Sequence, residues 1–92
     1  MKLRYKAHAL GHINSIHEYI AKDDLAAAKR VLRRIEHSIA RLATLPFSGR
    51  PGVVAGTRIL VVPGLPYVVI YRVREMEVDI IAVLHTSRRR RS

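Results

Sequence analysis

The pattern of apolar and polar positions changes period twice along the chain. Leu3 and Tyr5 alternate with Lys2, Arg4 and Lys6, the period-two signature of a short strand with one buried face. From Ala9 the period lengthens. Leu10, Ile13, Ile16, Tyr19 and Ile20 recur at three and four residues and mark one stripe of a helix that ends near Lys22-Asp23-Asp24. Asp23 or Asp24 is placed to cap the following helix, because a short acidic side chain can accept from the first amides that lack an intrahelical partner. In that second helix Leu25, Ala28, Val31, Leu32, Ile35, Ile39 and Leu42 form one face, while Lys29, Arg30, Arg33, Arg34, His37 and Arg41 mark the other, and the pattern stops before Pro46. The short link predicts antiparallel neighbours, a helical hairpin whose outer apolar side needs a further cover.

The second half supplies that cover. Phe47-Ser48-Gly49-Arg50-Pro51-Gly52, with Gly56 following, reads as a stiff, irregular connector whose glycines permit positive φ values. Three β-branched runs come next: Thr57 to Val62, closed by Pro63-Gly64; Tyr67 to Arg74, followed by Glu75-Met76-Glu77; and Val78 to Leu84. They predict an antiparallel meander. No internal repeat breaks the order, so the expected fold class is α+β, β-α-α-β-β-β, with the helical hairpin packed on a mainly antiparallel sheet.

Ninety-two residues, 49% apolar and 26% charged, suit one globular domain. We expect that domain over residues 1–87 and a basic tail over 88–92. The longest apolar runs are far shorter than the ~20 residues of a membrane span. The basic opening Met1 to Lys6 has no apolar stretch after it, so no signal peptide is expected and the expected compartment is the cytoplasm. The absence of cysteine excludes disulfides, thiolate metal sites and a cysteine nucleophile. Charge changes the picture most. Seventeen Lys and Arg against seven Asp and Glu give +10, and the run Arg88-Arg89-Arg90-Arg91 carries only four of those charges. Such a chain attracts polyanions, whether nucleic acid or an acidic protein.

Candidate chemistry is sparse. His8 and His12, four residues apart with His17 beyond, could share a helix face as metal ligands, but no carboxylate completes a ligand set, and neither metal nor cofactor is expected. The connector has the glycine density of a phosphate cradle without its Gly-Lys-Ser/Thr ending. Most of the acids Glu18, Asp23, Asp24, Glu36, Glu75, Glu77 and Asp79 read as cap, turn or helix-surface residues. His85, closing the last strand near Arg88, is the one histidine placed where a nuclease keeps a general acid or base. Arg58, Arg72 and Arg74 lie in or beside apolar strands and are expected on the sheet face that the helices leave open.

The element order, the stretch Gly56 to Val73 containing Pro63-Gly64-Leu65-Pro66-Tyr67 and Tyr71-Arg72-Val73, and the closing Ala82-Val83-Leu84-His85 resemble the RelE/ParE superfamily of bacterial toxins, its ParE branch in particular. The resemblance spans nearly the whole chain. It implies a toxin of a type II toxin–antitoxin module, neutralised by a ParD-like antitoxin that also carries the contacts to operator DNA. The antitoxin contacts are expected on the apolar helix faces and an exposed sheet edge. RelE-like members are ribosome-dependent mRNA endonucleases with basic residues along the strand matching Ile59 to Val61 and an arginine after the tyrosine matching Tyr67. Here Ile59 and Val61 are apolar and Val68 follows Tyr67, so cations that would stabilise a phosphoryl-transfer transition state are missing from those positions. The resemblance therefore implies a non-enzymatic ParE-like inhibitor of DNA gyrase, with Arg58, Arg72, His85, Arg88, Arg89, Arg90 and Arg91 as target-binding candidates. The alternative is an mRNA interferase using Arg72, His85 and Arg88.

Overall fold

The computed structural model describes residues 1–89, with the side chains of residues 1–87. Its elements run β1 (Lys2–Tyr5), α1 (Ala7–Ala21), α2 (Leu25–Ala40), a 3₁₀ turn (Arg41–Ala43), β2 (Arg50–Pro51), β3 (Arg58–Val61), β4 (Tyr67–Val73), β5 (Glu77–His85) and α3 (Thr86–Arg89). One five-stranded sheet has the order β1-β5-β4-β3-β2, in which β1 runs parallel to β5 and every other pair is antiparallel. β1 and β2 are its two edges. The helical hairpin carries the chain between them across a single face, while on the other face Ile59, Val68 and Asp79 are buried without it.

The caps and stripes follow from local chemistry. Of the two candidate capping acids it is Asp24 that caps α2, accepting the Ala27 N–H at 3.0 Å. In α1 the buried line is Ala9 and Ile13 with Ile16 packed beside them, whereas Leu10 and Tyr19, expected in the stripe, are exposed. The apolar stripe is wider than the contact, and the small Ala9 side chain lets the helix approach the sheet closely. In α2, Ala28, Ile35 and Ile39 are buried, joined by Leu42 of the 3₁₀ turn, while Leu25 at the hairpin tip stays exposed. Ala9, Ile13, Ile35, Ile39 and Leu42 join Val62, Tyr67, Val69, Tyr71, Val78, Ile80 and Val83 from the sheet side in one core.

The connector is more ordered than its composition suggests. Arg50 and Pro51 pair with Ile59 and Arg58 as a short edge strand, where proline's missing donor is tolerated. The segment is anchored by Tyr71, whose hydroxyl accepts the Gly49 N–H at 2.9 Å and donates to the Pro46 carbonyl at 2.8 Å. Gly49 is needed because of that close approach rather than for a positive φ: a Cβ there would lie 2.6 Å from the Tyr71 hydroxyl and 2.7 Å from the Ile59 carbonyl.

A bulge governs the last strand. Ile70 pairs with Ala82 but Tyr71 pairs with Ile80, so Ile81 is an extra residue without a partner in β4. It shifts the alternation of β5 by one. Val78 and Ile80 face the helices before the bulge, and Val83 does so after it.

Removing the Tyr71 hydroxyl in Tyr71→Phe leaves the buried Gly49 N–H without its acceptor. We expect a loss of about 1–3 kcal/mol, against about 2–5 kcal/mol for the cavity made by Ile39→Ala. Urea unfolding followed by circular dichroism measures both, and a Tyr71→Phe protein as stable as wild type would show that the anchor contributes nothing.

Candidate functional site

The open face of the sheet is organised around one buried acid. Asp79 of β5 stands between Arg4 of β1 and Arg72 of β4 in the strand registers. It is only 2% exposed. The Arg74 Nε donates to its Oδ2, while Oδ1 has no hydrogen-bond partner among the described residues. The hydrogen bond from Arg74 holds the Asp79 carboxyl below the usual carboxylate range against the opposing effect of burial, with the charges of Arg74, Lys6 and Arg4 adding to it. Arg4 also reaches Glu77 at 3.4 Å. Asp79, read from sequence with the cap and turn acids, is therefore a buried counter-ion that holds Arg74 on this face. The signal available in sequence was its place between Val78 and Ile80, which puts it on the sheet face opposite to theirs.

Arg72 lies on this open face, as expected. Arg58 does not. It pairs with Tyr71 on the helix-covered side, at the edge of the sheet, and its Nε and Nη2 donate to the Gly49 carbonyl at 3.0 and 2.6 Å. A second bond from Nη2 reaches the Phe47 carbonyl at 3.3 Å, and the guanidinium lies 5.4 Å from the centre of the Phe47 ring. The reason is register: Arg58 shares its face with Leu60 and Val62, which belong to the helix side. Its donors hold the connector in place.

His85 is on the other face from Arg72. The bulge at Ile81 brings His85 opposite Tyr67, and the two rings meet edge to face with centroids 5.6 Å apart. There they line a cleft with His12, Ser15, Ile16 and Tyr19 of α1. His85 Nδ1 accepts the Ser87 N–H at 3.1 Å, which caps the start of α3 and assigns the ring proton to Nε2. His12 Nδ1 likewise accepts the Val83 N–H at 3.2 Å. Burial pushes the Tyr67 phenol above its ordinary value, with Tyr19 adding to the shift, so it stays a protonated donor at neutral pH. No lysine, arginine or carboxylate lines this cleft among the described residues. Its described lining offers hydrogen-bond donors and aromatic surface.

The remaining candidates are quickly placed. Arg88 and Arg89 continue the backbone of α3, while Arg90 and Arg91 lie outside the described residues. The rings of His8 and His12 stack 6.4 Å apart, and no group of three metal-ligating side chains forms among the described residues. No described helix is long and apolar enough to cross a membrane. Sequence reasoning missed Tyr19, Tyr67 and His12 as a joint cleft lining, because the bulge that assembles it leaves no mark in the alternation of the final strand.

The comparisons agree with this architecture. The fold matches a solved structure of a chromosomal ParDE toxin–antitoxin system from P. aeruginosa with a TM-score of 0.83 over 92% of this chain and 95% of that one, at 23% identity. By sequence the chain is 42% identical over 84 residues to the protein Y4kP of Sinorhizobium fredii (strain NBRC 101917 / NGR234), covering 91% of this chain and 86% of the relative. It is 32% identical over 80 residues to toxin RelE2 of Caulobacter vibrioides (strain ATCC 19089 / CIP 103742 / CB 15), covering 87% and 89%. Residues 3–90 match the family described as the ParE toxin of the type II toxin–antitoxin system parDE. The chain is thus a toxin of the type II toxin–antitoxin class. Within that class it belongs to the ParE family.

Because the native carboxyl of Asp79 is depressed, its contribution to stability is present above the unfolded value near ~3.9 and is lost as pH falls through the native one. We expect Asp79→Asn to lower the urea midpoint at pH 7. The gap to wild type should narrow steadily from about pH 5 downward as the wild-type carboxylate is protonated. A gap that is constant between pH 7 and pH 3 would mean that the charge of Asp79 is not what stabilises the face.

Proposed function

We propose that the chain acts as a ParE-type toxin that inhibits DNA gyrase by binding it and trapping cleaved DNA, without a catalytic residue of its own. The observation that carries this reading is the separation of Arg72 from His85. They lie on opposite faces of the sheet and five residues apart along β4, about 17 Å at the rise of a strand. A nuclease built on Arg72 and His85 needs both at one phosphodiester. The departures at Ile59, Val61 and Val68 point the same way, since all three lack a charge.

The domain of residues 1–87 carries the scaffold, and we assign target contact to Arg72 on the open face and to His85 with the Arg88, Arg89, Arg90 and Arg91 segment at the end of β5. Arg58 keeps its place as a candidate only through the connector that it fixes. Neutralisation falls to a ParD-like antitoxin, which holds the toxin in a hetero-oligomer and supplies the contacts to operator DNA. A cytoplasmic location follows from the target. The exposed apolar residues Leu10, Tyr19 and Leu25 on the hairpin and Val61 near the sheet edge are surfaces that an amphipathic antitoxin segment could cover.

Pulse labelling within minutes of induction, without antitoxin, tests this directly. We expect thymidine incorporation to fall first while methionine incorporation persists, and purified gyrase to accumulate cleaved DNA when the toxin is added. Early collapse of methionine incorporation would replace this reading by the interferase, with His85 and Arg88 as its first targets.

A further inference from the structure

The outward face of α2 takes no part in the core, the open sheet face or the cleft. Lys29, Arg33, His37 and Arg41 follow one another at four-residue steps, and all four are exposed. At 1.5 Å per residue they climb about 18 Å along the helix while turning about 120° around it, an inclined row in which Lys29, Arg33 and Arg41 carry the fixed charges. Arg41 keeps the line because the chain remains in the right-handed helical region at that residue. Arg30 and Arg34 stand beside it, also exposed. Glu36 is the one carboxylate within α2, and the ion pairs among the described residues lie elsewhere, at Arg4–Glu77 and Arg74–Asp79. Like charges at four-residue spacing disfavour a helix, so this ridge costs stability in the absence of a counter-charge.

The ridge borders a concave seat. Arg33, Arg34, His37 and Arg41, with the carboxylate Glu36 among them, wall a cleft between α2 and the β3–β4 turn, with Val62 and Pro63 on its far side. Arg34 fixes that wall by donating to the Pro63 carbonyl. Gly64, at φ +74°, makes room for it, since a Cβ there would lie 2.6 Å from the guanidinium. No large apolar side chain is exposed between residues 26 and 44. A protein segment that folds on docking needs apolar anchors, whereas a phosphate backbone needs charge at regular spacing.

We propose that the α2 ridge is a sequence-independent contact for the phosphate backbone of duplex DNA. The choice of DNA rests on the reading above, in which the toxin meets duplex DNA both on gyrase and on the antitoxin-bound operator. The contact itself would be made by the toxin, independently of the antitoxin and of the Arg88–Arg91 segment.

The test is fluorescence anisotropy of the full chain with a labelled 24-base-pair duplex of arbitrary sequence, from about 50 to 200 mM salt. The slope of log K against log salt should flatten by about one for each phosphate contact removed. We therefore expect the triple variant Lys29→Gln, Arg33→Gln, Arg41→Gln to flatten it by about 2–3 and to weaken binding on the order of tenfold or more. The charge-keeping variant Arg33→Lys, Arg41→Lys should bind as wild type does. A control triple, Lys2→Gln, Lys6→Gln, Lys22→Gln, removes the same charge elsewhere. An equal loss in the control, or an unchanged slope in the α2 triple, overturns the proposal. So does ridge-dependent binding of a polyglutamate peptide, or of duplex RNA, without ridge-dependent binding of duplex DNA. Because gyrase is absent from this assay, failure here leaves the gyrase reading standing, and failure of the labelling experiment leaves the ridge standing.

Discussion

Ile81 has no partner across β4, and that one surplus residue decides what each end of β5 faces. An unbulged strand would keep Asp79, Val83 and His85 on one side, and Arg72, paired with Asp79, would stand on the same side. The bulge instead turns Val83 into the core and carries His85 round to Tyr67 and α1. The sheet thereby has two unlike faces. One is apolar and covered, with an aromatic cleft at its end; the other carries arginines around a buried carboxylate. The separation of Arg72 from His85 is a consequence of strand register, and register is fixed by the core residues on either side of the bulge.

The same register explains why the arginines are ordered. An isolated arginine on a sheet surface loses side-chain freedom when it is held in one pose, and in water an ion pair offsets that cost poorly. Asp79 is different because it is buried and its oxygen accepts from Arg74, so that removing the arginine would strand a charge. Arg58 is held by another means, through backbone carbonyls of the connector, and the connector is in turn held by the Tyr71 hydroxyl. The strand arginines therefore fall into two groups, one that shapes the open face and one that maintains the scaffold.

Much of the architecture was legible in the sequence. Periodicity located both helices, the turn signals located the three long strands, and the count of elements gave the α+β class. What was hidden depended on long-range geometry. Arg50–Pro51 forms an edge strand only because Ile59 and Arg58 offer it partners, and composition favours a loop there. Leu10 and Tyr19 match the helical period, yet the sheet is broad enough to bury only the line through Ala9 and Ile13. The face of Arg58 was recoverable, since it alternates with Leu60 and Val62, but which face the helices would cover required knowing that Val62 is buried. The candidate site was legible as a set of residue types and not as a constellation, because one unpaired residue moved His85 away from Arg72.

The charge of the chain can now be divided by what surrounds it. On the open face Arg74 is hydrogen-bonded to the buried Asp79 and Arg4 reaches Glu77. On α2 they have no carboxylate within ion-pair distance among the described residues, and their spacing is set by the helix alone. Fixed cations around a buried acid suit a surface that must present a defined shape to a folded partner. A row of exposed cations suits a polyanion that presents the same phosphate at every step and is held by release of counterions. The function proposed above, inhibition of gyrase on cleaved DNA, would use both kinds of surface. The fold places them on opposite sides of its core, so that one can be occupied while the other remains open.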